Sequence, residues 1–198
     1  INNFNSDLLA IQENKFSITG IGKQALKYAD GSADVYASSD VISSTPMYYA
    51  GDYGMSSKDI SSALVYNGQA FFADRSRRKI LRFAGGQLTS ISDTGMSSFF
   101  NKEIGYLGLP TRSEWKIISG YDPSDDMYYV TIRNYEYADP DGDLGTLSGA
   151  VTASYNVGLS KWQSQHSFYP QCYSMQDDTM YSFFSIYIQP SEEYSLMH

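Results

Sequence analysis

Carboxylates and imidazoles are the residues of this sequence that could do chemistry. Asp139, Asp141 and Asp143 alternate with Pro140 and Gly142, as in a calcium loop where hard oxygen ligands converge from every second residue. The helix–loop–helix calcium pattern also asks for Gly at its sixth position and Glu at its twelfth, where this sequence has Leu144 and Ala150. A solvated acidic loop is therefore the preferred reading, with an ion site as the alternative. His166 and His198 are the whole supply of imidazole; His198 lies in the terminal tail and His166 in an expected strand between Gln165 and Ser167. There is no G-x-S-x-G elbow for either to serve and no second His to complete a metal set. The pairs Asp125-Asp126 and Asp177-Asp178 fall in turn-like stretches, where solvation accounts for them. Cys172 stands alone, which excludes an intrachain disulfide and a multi-cysteine metal site and leaves a buried or half-buried thiol as the expectation. No cofactor is implied, and these residue types form no catalytic constellation.

The elements that must carry these residues read as β-hairpins. Gln69 to Asp74 and Lys79 to Phe83 are rich in aromatic and branched residues and flank the polar loop Arg75 to Arg78. Both alternating sets of the second arm carry apolar bulk, so this hairpin is expected to pack on two sides. Asp30-Gly31 between Ala25–Tyr28 and Ala33–Tyr36, Asp122 to Asp126 between Trp115–Ile118 and Met127–Ile132, Asn156 to Ser160 and Gln176 to Thr179 give four more hairpins. Phe16, Ile18 and Ile21 mark a strand broken by Gly20 and Gly22, and Leu8 to Ile11 fits either a capped helical turn or a first strand. Lys102 to Arg112 reads as an irregular connection, and helix is expected only in short turns. Phe71, Phe72, Ile80, Leu81, Phe83, Ile117, Ile118, Tyr129, Val130 and Ile132 are the expected core.

One phrase recurs. D-Y-G-M-S-S at Asp52 to Ser57 and D-T-G-M-S-S at Asp93 to Ser98 match at five of six positions, offset by the 41 residues from Asp52 to Asp93. That spacing is about the length of one four-stranded propeller blade. In both copies, Asp52 with Gly54 and Asp93 with Gly95, the expected role is a structural turn: Asp bonds nearby amides and Gly accepts positive φ. Ser92, Asp93 and Gly95 resemble in part the Asp-box of sialidase-type propellers, but Ser98-Phe99 replaces the Thr-Trp that should follow. The fold class is therefore all-β, antiparallel hairpins in a propeller-like arrangement. The boundaries are an N-terminal segment 1–19, a hairpin domain 20–188 and a tail 189–198.

A net charge of −8 argues against a surface built for a phosphate backbone, so no nucleic-acid specificity is expected. Arg75, Arg77, Arg78, Lys79 and Arg82 cluster on and beside a turn, and solvation is their expected state. No run approaches the ~20 apolar residues that span a bilayer, and the start lacks a signal-peptide pattern. The sequence begins at Ile1 rather than Met, which suggests a piece of a longer protein.

The phrases YYAGDYGMSS, VYNGQAFFADRSRRKILRFAGGQLTSISDTGMSSFF, ISGYDPSDDMYYVTI and SYNVGLSKWQSQHSFYPQCYSMQDDTMYSF, in this order between Gly20 and Phe184, resemble the large tail stabilisation or muzzle proteins of crAss-like bacteriophages. Those proteins look similar in function to the nozzles of short-tailed phages. The resemblance implies a non-enzymatic virion component in the phage tail, a propeller-like module working in a symmetric ring with other tail proteins and copies of itself. It supplies fold and context without an active site. Five hairpins make only about half a closed propeller, so either neighbouring chains supply blades or the assembly is open or smaller. The alternative from another class is a carbohydrate-binding or carbohydrate-cleaving β module, with Trp115, Tyr121, Tyr128, Tyr129 and Trp162 stacking on sugars and Asp pairs doing acid–base work.

Overall fold

The computed structural model describes residues 2–4, 7–27, 33–42, 46–109, 115–133 and 150–183, and every strand pairing among them is antiparallel. The chain divides into two compact units, 1–101 and 102–198. None of the sheets formed by the described residues closes on itself. No helix among those residues is long and apolar enough to cross a membrane.

In the first unit, β1 (Asn2–Phe4), β2 (Asp7–Ile11), β3 (Phe16–Lys27) and β4 (Ala33–Ile42) lie in sequential order, and β5 (Met47–Tyr48) also pairs with β3. Leu8 to Ile11 is thus strand and not a helical turn. Nor do the glycines break β3: its register with β4 shifts between Ile21 and Lys23, so Gly22 sits at an irregularity in a continuous strand. The turn at Asp30-Gly31 lies outside the described residues, although Lys27 pairs with Ala33 across it.

A second sheet follows as a meander: β6 (Leu64–Tyr66), β7 (Gln69–Asp74), β8 (Lys79–Ala84) and β9 (Gln87–Ser90). Asn67-Gly68 joins the first pair and Gly85-Gly86 the last, with positive φ at all four residues. That is the signature of two-residue type I′ turns, whose twist matches the strands they join. Ala70, Phe72, Leu81 and Phe83 share one face of this sheet and form a core with Leu9 and Phe16 from the first sheet. Phe16 is the hub, its ring 5.4 Å from Phe72, 5.2 Å from Phe83 and 5.3 Å from Tyr49. On the other face Phe71, Ala73 and Ile80 are equally buried, so the sheet is packed on both sides.

Helix is not confined to short turns. Ser97–Gly105 forms an α-helix, α1, and continues into a 3-10 turn at Tyr106–Gly108. Phe100, Ile104 and Leu107 are buried at intervals of four and three, the stripe a helix produces, across a segment whose Gly and Pro suggest an irregular connection.

The second unit contains β10 (Lys116–Asp122), β11 (Met127–Arg133), β12 (Val151–Asn156) and β13 (Lys161–His166), again a four-stranded meander. A hairpin of β14 (Cys172–Gln176) and β15 (Thr179–Phe183) follows. The turns at Pro123–Asp126 and Val157–Ser160, like that at Arg75–Arg78, end on a residue with positive φ. Ile117, Tyr121, Tyr128, Val130, Ile132, Ala153 and Tyr155 are buried on one face. Tyr129 is the exception among the expected core residues: Tyr128 is fully buried, and Tyr129 lies on the opposite face with Thr131 and Arg133.

Phe72→Ala is expected to cost roughly 3–5 kcal/mol in denaturant melts, because it opens a cavity beside Phe16. Leu159→Ala at an exposed turn is expected to stay within about 0.5 kcal/mol of the parent. Equal stability of the two variants would remove Phe72 from the core.

Candidate functional site

The two copies of the repeated phrase take different backbone forms and precede similar elements. In the second, Gly95 has φ +78° with open space where a Cβ would stand, so conformation alone demands glycine there. In the first it is Asp52, not Gly54, that adopts positive φ. Gly54 is needed for close approach: a Cβ would collide with the backbone of Gln12 and Glu13 at the β2–β3 turn, where Met55 N donates to Gln12 O at 2.8 Å. Asp93 bonds side chains more than amides; the hydrogen bond from the Lys79 ammonium, helped by the Ser90 and Ser97 hydroxyls, holds its carboxyl below the usual range against a smaller opposing effect of burial. Each phrase leads into a helix, a 3-10 turn at Ser57–Ser62 or α1, and then into a four-stranded meander. The phrase therefore stands at the start of each series of helix and meander.

Carboxylates neutralise much of the basic cluster. Arg75 makes a bidentate pair with fully buried Asp59, both contacts at 2.7 Å, and Lys79 pairs with Asp93. Buried Asp74 accepts from Gly54 N at 3.0 Å and Arg77 N at 2.9 Å. These guanidinium and ammonium groups pin a 3-10 turn and a hairpin end in place, where simple solvation was expected.

His166 lies on the polar face of its sheet. Its Nε2 lies 2.9 Å from the Ser154 hydroxyl, and its ring packs 5.4 Å from Tyr129 and 5.0 Å from Phe168. β12 and β13 place Thr152, Ser154 and His166 on the face that also carries Tyr129 and Thr131 of β11. Thr131 Oγ1 is 2.8 Å from Thr152 Oγ1 and 2.7 Å from the Tyr173 hydroxyl, and Thr152 donates to Phe168 O at 2.7 Å. A hydroxyl has one proton. Thr152 gives its proton to the Phe168 carbonyl and so accepts from Thr131, which in turn accepts from Tyr173. The series of donors runs one way, from phenol to backbone. Burial pushes the Tyr173 hydroxyl well above its ordinary pKa, which keeps the proton this order requires. Arg133 donates to Tyr169 O, and the Tyr173 ring lies so close to Gly120 that a Cβ there would meet it at 2.5 Å.

A serine beside an imidazole resembles a nucleophile and its base, but Ser154 is fully buried, so no substrate carbonyl could reach its oxygen. No described carboxylate is seen to orient the ring, and burial holds the His166 pKa below its ordinary value. The cluster clasps the segment after β13 across the polar face of the sheet. The sequence contained its parts but not its register, since Thr131, Thr152 and Tyr173 meet only through strand pairing.

Of the other candidates, Asp139, Asp141, Asp143 and His198 lie outside the described residues. Among the described residues no three His, Cys, Asp or Glu gather as a metal set. Cys172 is exposed, where a buried or half-buried thiol was expected. Trp115, Tyr121 and Tyr128, expected sugar-stacking residues, are buried and present no face to a ligand. No protein-family model matches the sequence, and no curated protein compared with it does.

Because His166 titrates below its ordinary value near 6.5 in the fold, the unfolded protein binds its proton first as pH falls. The contribution of neutral His166 is expected to be complete above that value and lost as pH drops through the folded pKa. Melting temperature followed against pH should show this step in the parent and not in His166→Gln. Tyr173→Phe, which removes the first donor of the series, is expected to cost about 1–3 kcal/mol in denaturant melts; no loss would mean that the donor order is not structural.

Proposed function

We propose that this protein is a non-enzymatic structural module of a bacteriophage tail, a muzzle or nozzle-like component that works through protein–protein assembly. The observation that carries the reading is the twofold series of D-x-G-M-S-S phrase, helix and four-stranded antiparallel meander. A four-stranded meander is the unit from which propeller blades are made, and the sheet of β6 to β9 is buried on both faces as a blade between neighbours must be. Two such units are too few to close a ring, so blades from neighbouring subunits complete it in this proposal. The resemblance of the sequence phrases to tail proteins of crAss-like phages supplies the setting, the virion, and the partners, other tail proteins and further copies of the same protein. Sealing of Ser154 supports a scaffold over a hydrolase, since the residue pair nearest to a catalytic dyad has no route to substrate.

The experiment pairs variants in phage particles. Asp93→Ala combined with Gly95→Val is expected to damage folding, because the Lys79 contact is lost and a β-branched residue is forced to φ +78°. His166→Gln keeps a hydrogen-bonding group near Ser154 and is expected to leave particle assembly and infectivity nearly intact. Absence of the protein from purified virions by mass spectrometry, or a hydrolytic activity lost in a well-folded His166→Gln protein, would overturn the proposal.

A further inference from the structure

We infer that Asn67 is a modification site: the Asn67-Gly68 turn deamidates when, and only when, the β6–β7 hairpin opens. Asn67-Gly68 is the sole Asn-Gly pair in the sequence, and glycine leaves the following backbone nitrogen unhindered. The reaction needs no enzyme. The Gly68 nitrogen attacks Asn67 Cγ, a new C–N bond closes a five-membered succinimide, and the bond from Cγ to Nδ2 breaks. Ammonia leaves with the proton from the Gly68 amide. Water then adds to one of the two ring carbonyls and opens the ring to aspartate or isoaspartate.

Ring closure requires the Gly68 nitrogen to swing round to the side of Asn67 that carries Cβ. The closed hairpin prevents this. Asn67 and Gly68 stand at φ +46° and +69°, the two central positions of a type I′ turn, and in that turn the following nitrogen lies nearly opposite Cβ. The turn is held by the register Tyr66 to Gln69, Val65 to Ala70 and Leu64 to Phe71. Asn67 itself is exposed, so water and base reach it freely. The gate is also weak. β6 has three residues, lies at the sheet edge and keeps no fully buried side group, its anchor being Val65, partly buried against the Phe72 core. Short edge strands of this kind open without global unfolding. Conversion is then lasting in its effect: isoaspartate routes the backbone through Cγ and adds a backbone atom, which a two-residue turn cannot absorb. β6 is left free of β7, and the edge of this sheet is exposed for pairing.

The test is incubation of the whole protein at mildly alkaline pH with and without urea, followed by mass spectrometry of the tryptic peptide Asp59–Arg75. The expected result is an amide-to-acid mass gain in that peptide, at least about tenfold slower in the folded protein than in urea. Val65→Ala, which loosens β6, is expected to raise the folded-state rate several-fold while the rate in urea stays unchanged. Asn67→Gln should abolish the gain under both conditions. Equal rates with and without urea, or a Val65→Ala folded-state rate equal to the parent, would each overturn the inference.

Discussion

A β-sheet buried on both faces must satisfy the backbone of its inner strands without help from water, and the sheet of β6 to β9 meets that demand with outer strands that are too short. β7 and β8 each have six residues, whereas β6 has three and β9 four. At one end the amides of Ala73 and Ile80 therefore lack strand partners. Ser62 Oγ accepts from Ala73 N and Ser92 Oγ from Ile80 N, both at 3.1 Å. A buried amide left unpaired costs about 1–3 kcal/mol, comparable with a whole helix cap. The two serines substitute for the missing strand residues from either side, and each is fully buried within the 3-10 turn that flanks the sheet.

This completion explains why the helical turns sit where they do. Ser62 can reach Ala73 only if Ser57–Ser62 is held against the sheet, and the bidentate Asp59–Arg75 pair holds it. The Asp59 carboxylate is fully buried, so the pair is retained because either partner alone would be far less favourable, not because it adds much net stability. Asp74 then takes the amides of Gly54 and Arg77, which draws the first repeated phrase onto the same sheet end. Through Met55 and Gln12 the β2–β3 turn follows, and Phe16 enters among Phe72, Phe83 and Tyr49. Polar completion at the sheet end and aromatic packing at its face thus fix the same arrangement of the two sheets.

Hairpins were legible in the sequence because alternation and turn chemistry are local signals. The strands at Gln69–Asp74 and Lys79–Ala84 and at Met127–Arg133 lie where aromatic and branched residues placed them, within a residue or so. Local signals also misled. Gly22 reads as a break because glycine punctuates loops, yet pairing with β4 carries the strand through it. α1 was hidden among Gly and Pro, although Phe100, Ile104 and Leu107 keep helical spacing. The assignment of Tyr129 to the core failed on parity: Tyr128, Val130 and Ile132 share the apolar face, while Tyr129 alternates with Thr131 and Arg133. A propeller would be a matter of how units are placed around an axis, which no run of residues encodes locally.

The candidate site was only half legible for the same reason, and its chemistry follows from that. His166 is conspicuous as a lone imidazole, but its meaning depends on what strand register sets beside it. A hydroxyl series that runs from Tyr173 through Thr131 and Thr152 to a backbone carbonyl ends on an acceptor with no proton to pass on. Such a series cannot relay a proton to a substrate; its protons are committed to fixing orientation. Each hydroxyl fills its neighbour's lone pair, so a shift of the segment after β13 by one residue would leave buried donors and acceptors unmatched along its whole length. Apolar packing tolerates small slips, and polar matching of this kind does not. The polar face of the second unit therefore defines register and placement, while its buried aromatic face supplies cohesion.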